Sequence, residues 1–215
     1  MAEAVAGQRV KDVLPVLPPL RGLLPAGGLR PGSVTTVDDP TLLLALAAGP
    51  TAAGGWAALV GMPECGLVAV AELGVATDRL LLVDDAGRRW PEVVAALLDG
   101  VTLVAVWPAG EPPPAVARRL VALARRHEAA LLVAGAWAGA EVNLSLAGSR
   151  WYGVADGHGQ LTRRHVTVTS AGRGSAARAW RTPLWLPDAN GTVREAAAEQ
   201  QLTPLPYPAE VEAVS

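Results

Sequence analysis

Asp38, Asp39 and Pro40 fill a junction where a strand gives way to a helix. Gly32-Ser-Val-Thr-Thr-Val37 reads as the buried strand, and Thr41-Leu-Leu-Leu-Ala-Leu46 as the helix that follows. A phosphate-binding loop belongs at such a junction. It needs the spacing G-x-x-x-x-G-K-[ST], so that backbone N–H groups and a Lys neutralise β- and γ-phosphates. Here the junction has neither Gly nor Lys. Two carboxylates stand instead at the positive end of the helix, where they take the place of an anion and repel one. The pattern predicts a nucleotidase framework with its chemistry removed, in which Asp38, Asp39, Pro40 and Thr41 mark a degenerate nucleotide site.

The other chemistry-bearing residues are isolated. Asp84-Asp85 beside Gly87 could hold a metal, but a lone acidic pair next to a glycine is the composition of a solvated turn, which is the preferred reading. Cys65 has a location near a helix N-terminus that could lower its pKa. Its apolar context and the lack of a nearby His favour a buried structural thiol. His127, His158 and His165 have no metal-ligand spacing, so neither a metal site nor a cofactor is expected. Gly172-Arg-Gly-Ser-Ala-Ala177 matches the dinucleotide fingerprint G-x-G-x-x-A, but no adequate helix follows, and a glycine-rich hairpin turn is preferred.

The elements around these residues alternate. Trp56–Val60, Arg79–Val83, Val101–Val106 and Ala130–Val133 have the length and apolar character of buried strands. Between them lie helical segments at Glu64–Leu73, Pro91–Leu98 and Pro112–Glu128. That order predicts an α/β fold: a mostly parallel sheet flanked by helices. From Glu141 to Val193 helices cease. Val142–Leu146, Arg150–Val154, His165–Thr169 and Trp180–Leu186 read as antiparallel strands appended at the C-terminal end. Residues 1–19 form an N-terminal arm, 20–195 the core domain, and 196–215 a proline-bearing flexible tail.

Composition limits the function. A chain of 215 residues with 51% hydrophobic content buries one sizeable core. A lone cysteine, the absence of a leader pattern in Met1–Gln8 and apolar runs broken by Gly and Pro predict a cytoplasmic protein without a membrane span. The net charge is −2, with −3 in residues 196–215. A near-neutral body predicts weak or no direct DNA binding, since counterion release needs a basic field.

Gly27-Gly-Leu-Arg-Pro-Gly-Ser-Val-Thr-Thr-Val37 resembles the entry to the ATPase core of RecA, and Leu73-Gly-Val-Ala-Thr-Asp-Arg-Leu-Leu-Leu-Val83 the RecA-family segment leading to the next strand. With Arg118-Arg119-Leu120 and the Trp151 and Gly157–Leu161 region, the chain resembles the actinobacterial ImuA′ type of RecA-like mutasome accessory protein, over about Leu20–Val193. The resemblance implies a damage-tolerance adaptor in translesion synthesis. It would bind an ImuB-like Y-family polymerase homologue and support an error-prone C-family polymerase. On the same alignment the catalytic Glu position falls on Met62, and the strand that should end in the Walker B Asp runs into Trp107-Pro108. The implied protein is no ATPase. A SulA-like division inhibitor that binds FtsZ and a divergent ATPase with a DNA-binding role are the alternatives.

Four surfaces are candidates for the partner. In the tail, Leu202, Leu205 and Tyr207 lie in a proline-stiffened segment suited to a groove, or form an unbound tail. On Pro112–Glu128, Val116, Leu120, Leu123 and His127 share one face, with Arg118 and Arg125 opposite and Arg119 and Arg126 beside them. That is a docking stripe or a solvated face. Trp180 and Trp185, flanked by Arg178 and Arg181, form an aromatic and basic surface or fill the core. The arm at Val10–Leu17 contacts a partner subunit or packs on its own core.

Overall fold

The computed structural model describes residues 13–155, 158–172 and 180–196. The tail residues Leu202, Leu205 and Tyr207, Arg178 and the fingerprint beyond Gly172 lie outside the described residues. Two short strands, β1 (Leu14–Pro15) and β2 (Gly28–Leu29), pair with each other. The main sheet begins with β3 (Val34–Val37), β4 (Ala57–Val60), β5 (Leu80–Val83), β6 (Leu103–Val106) and β7 (Ala130–Ala134). It continues as β8 (Val142–Ala155), β9 (His158–Gly172), β10 (Trp180–Trp185) and β11 (Arg194–Glu195). The order is β11-β10-β9-β8-β3-β7-β6-β4-β5, parallel from β8 to β5 and antiparallel from β8 to β11. This is the expected α/β architecture, with antiparallel strands appended to one side of a parallel sheet.

Among the described residues four α-helices connect the strands: α1 (Pro40–Ala52), α2 (Leu67–Glu72), α3 (Trp90–Leu97) and α4 (Pro114–His127). Two apolar clusters flank the sheet. One joins α1 and α2 to the segment Val16–Leu29, and the other joins α3 and α4 to the opposite face. In α1, Leu42 through Ala48 are all buried, so this helix is apolar all round and lies inside the protein rather than on it.

α1 is longer than the expected Thr41–Leu46, because it continues through Gly49-Pro50. A Cβ on Gly49 would lie 2.6 Å from Val16 Cα. The end of the arm crosses α1 at that point, with Val16 buried beneath it and a 3-10 turn at Pro18–Leu23 continuing over the core. Thus residues 13–19 pack on their own domain. At the other end, Ala196 is buried and its N–H donates to the Pro183 carbonyl, so the core extends through this residue.

The two expected segments Val142–Leu146 and Arg150–Val154 are one strand. Register shifts between Leu146 and Gly148 and between Tyr152 and Val154 interrupt the period of two that sequence reading relies on. The expected Glu64–Leu73 helix starts only at Leu67.

Candidate functional site

The carboxyl ends of the parallel strands are where an open α/β sheet holds its ligand, and here that position at β3 is filled by the protein itself. Asp39 is the N-cap of α1: its Oδ1 accepts the Leu42 N–H at 2.9 Å. Its Oδ2 takes the Nη1 donor of Arg164 at 2.8 Å, with both side chains nearly excluded from solvent. Arg164 also donates from Nε to Ser149 Oγ at 2.7 Å, and its guanidinium lies over the Trp151 ring at 5.7 Å. Asp38 is exposed, but its carboxylate accepts the Leu146 N–H at 3.0 Å. The N-terminus of α1 is therefore capped, and the cap is neutralised from the hairpin β8–β9.

This arrangement follows from the length of the hairpin. β8 starts level with Thr35 and pairs with β3 only as far as Leu144 opposite Val37, then continues past the end of the parallel strands. β9 returns beside it and brings Arg164 over α1, while Val166 and Val168 enter the first cluster. Pro40 is exposed and Thr41 half-buried beside this pair. Trp107, at the end of β6, is 39% exposed and its N–H donates to the Val60 carbonyl at 2.8 Å. Gly61 (φ 77°) has no room for a Cβ against the Trp107 carbonyl, which fits Trp107 closely onto the neighbouring strand end.

The other candidates are dispersed. Arg118, Arg125 and Arg126 are exposed on α4, whose buried line runs through Ala117, Leu120 and Ala124. That helix covers the face of the sheet opposite α1, away from the Asp39–Arg164 pair. His127 donates from Nδ1 to Asp99 at 2.9 Å. Trp180 and Trp185 do not share a surface, because five positions along a strand put them on opposite faces. Trp180 is half exposed, whereas Trp185 packs edge-on against Tyr152 and His165, at 5.4 and 5.3 Å between ring centres. Asp85 accepts the Gly87 N–H at 2.8 Å in an exposed turn. Burial pushes the Cys65 thiol above its ordinary pKa and the Asp84 carboxylate adds to the rise, so helix α2 does not activate it. Among the described residues no cluster of His, Cys, Asp or Glu could hold a metal ion.

Sequence reading missed Arg164, Ser149 and the Leu146 amide. The pair Arg163-Arg164 carried a usable signal, because adjacent strand residues face opposite ways and one of two arginines must turn inward. Which one does so depends on register across two irregularities. At the far edge of the sheet, Leu81 and Leu82 on β5 and Leu67 and Val68 on α2 remain exposed. No described strand covers the outer side of β5.

A family model described as the MT3502 N-terminal domain matches residues 22–139, more than half of the chain. The chain belongs to that family. The match ends just before β8, so strands β3 to β7 and helices α1 to α4 fall within the family's domain, and the hairpin with β10 and β11 lies beyond it. The chain is also similar to the uncharacterised protein Rv3395c of Mycobacterium tuberculosis, at 42% identity over 128 residues, 57% of this chain. The aligned stretch spans 63% of that relative's length.

Proposed function

We propose that the protein is a non-catalytic, RecA-like adaptor of translesion DNA synthesis in the cytoplasm, which binds an ImuB-like polymerase homologue and supports an error-prone C-family polymerase. The observation that carries the non-catalytic part is the Asp39–Arg164 pair at the start of α1. A triphosphate placed there would have to displace a buried ion pair and meet Asp38 and Asp39 as like charges. The same occupancy weighs against a divergent ATPase. The RecA-like part is supported by the strand-to-helix succession from β3 into α1 and by the resemblance of Gly27–Val37. The partner's identity rests on the resemblance. The exposed leucines of the β5 edge supply a surface of the kind that protein partners cover. No described helix is long and apolar enough to cross a membrane.

Co-purification with the ImuB-like protein of the same genome, without nucleotide, tests this reading. The full chain, a chain ended after Ala196 and a Leu82→Glu variant are compared. Retention of the partner by the full chain without ATP is expected. Loss on truncation assigns the interface to residues 197–215, and loss with Leu82→Glu assigns it to the β5 edge. Absence of binding in every form, or binding that requires ATP, overturns the proposal. Retention of FtsZ in its place would favour the division-inhibitor alternative.

A further inference from the structure

Charge is distributed unevenly along this chain. Val142–Trp185 holds six arginines and one carboxylate, Asp156, a net +5, while the whole chain carries −2. The remaining residues therefore carry −7. Within strands β8, β9 and β10 themselves there are four arginines and no Asp or Glu. The antiparallel extension is thus basic over three adjacent strands, and α4, with Arg118, Arg119, Arg125 and Arg126, is a separate basic element on the other side of the parallel sheet.

Among the described residues, one face of that extension is left without a covering helix. Val142, Leu144, Val166, Val168, Leu184 and Leu186 point into the α1 cluster, and the cluster under α3 and α4 contains no residue from β8, β9 or β10. By alternation the opposite face carries Arg150 across from His165, Tyr152 across from Arg163, Trp185 across from His165, and Arg181 across from Thr169. Tyr152, His165 and Trp185 form a half-buried aromatic group. The Arg163 guanidinium lies over it, 4.8 Å from the Trp185 ring and 5.6 Å from that of Tyr152. Arg150 and Arg181 are exposed on either side.

We propose that this outer face of β8–β10 is a platform for single-stranded DNA, on which the Tyr152–Arg163–Trp185 group stacks bases while Arg150 and Arg181 hold backbone phosphates. Bases in a single strand offer π faces to aromatic rings and guanidinium planes, and those faces are hidden in a duplex. Stacking on two rings holds Arg163 in place, so less side-chain entropy is lost when a ligand docks. A flat sheet face also leaves the strand accessible along its length. An acidic protein would be drawn by the same charge but would gain nothing from the ring faces.

Fluorescence anisotropy with labelled T20, U20, a 20-base-pair duplex and polyglutamate, each on the full chain, tests the proposal. T20 is expected to bind with a Kd of roughly 1–100 µM near physiological salt, with a log–log salt slope of about −1.4 for the two phosphate contacts. The duplex and polyglutamate should bind more weakly. Arg150→Glu with Arg181→Glu, both at exposed positions, should weaken T20 binding at least ~10-fold and bring the slope close to zero. Tyr152→Ala should weaken it roughly 5- to 100-fold while leaving the slope unchanged. The proposal is overturned by any of four results: no T20 binding at low salt, equal binding of duplex or polyglutamate, tighter binding of U20, or insensitivity to Arg150 and Arg181 while Arg118→Ala with Arg125→Ala abolishes binding.

Discussion

Strands β3, β4, β6 and β7 bury both faces, whereas β8 to β10 bury one. The parallel strands read as nearly continuous apolar runs because helices lie above and below them, and β4, β6 and β7 are buried at every position. The extension alternates, with Val166, Val168 and Leu184 inward and Arg163, His165 and Trp185 outward. A strand buried on both sides has no side chains left to meet a ligand, so the parallel half can act only through its strand ends and its edge. In this protein the ends above β3 are closed by the hairpin. The comparison teaches that the extension covers the start of α1 with one face and presents aromatic and basic side chains on the other.

The joint between the halves should respond most strongly to substitution. Asp39→Ala removes the α1 cap and leaves Arg164 buried without its counter-charge, so a loss of about 3–5 kcal/mol is expected in urea unfolding. Asp39→Asn with Arg164→Met keeps a capping side chain and removes both charges, and should recover most of that loss. If Asp39→Ala instead unfolds only the extension, seen as two separate transitions by circular dichroism and tryptophan fluorescence, the halves are independent and the comparison fails.

Gly49→Val addresses the parallel half alone. The added Cβ meets the backbone of Pro15 and Val16, which cannot move as a side-chain tip would, and a loss of about 2–3 kcal/mol in unfolding free energy is expected. A neutral result would mean that the arm does not lie on α1.

Asp188 tests the extension. Burial raises its pKa, but the N–H groups of Asn190 and Thr192, the Thr192 hydroxyl and the Arg194 charge outweigh this and hold the carboxyl below its ordinary range. The folded carboxylate therefore binds its proton less tightly than the unfolded one, whose pKa is about 3.9. Its stabilisation is present above about pH 4 and is lost as pH falls through the folded value. Asp188→Asn should cost about 1–2 kcal/mol at pH 7 and flatten the acid limb of the stability profile.

The smallest effect belongs to Cys65. With its pKa raised by burial and by Asp84, iodoacetamide should alkylate it more slowly at pH 8 than it does free cysteine, and Asp84→Asn should speed the reaction by less than about threefold. Alkylation faster than that of free cysteine would mean an activated thiol at the edge of the parallel half.

Much of the core was legible because its signals are local. The β4, β6 and β7 runs, Gly74 after α2 and the paired prolines before α4 mark elements within a few residues of their true ends. Asp39 was readable as a helix-start carboxylate, since capping involves residues three apart in sequence. Its partner was not, because Arg164 lies 125 positions away and faces inward only after two register shifts in the hairpin. Likewise Trp180 and Trp185 looked like one surface until strand alternation separated them. Whole-chain charge concealed the +5 of Val142–Trp185 by averaging it with an acidic remainder.

By itself the sequence determined the α/β class, the parallel order of apolar runs, the absence of a phosphate-loop pattern between β3 and α1 and the change to β structure after Glu141. These depend on periodicity, composition and missing residues, which do not require knowing what meets what. The tertiary structure alone decided that Arg164 closes the start of α1, that the arm crosses at Gly49, and that Tyr152, Arg163, His165 and Trp185 converge on one open face. Each of these joins positions distant in the chain, and the register and alternation of a sheet are fixed only when its strands pair.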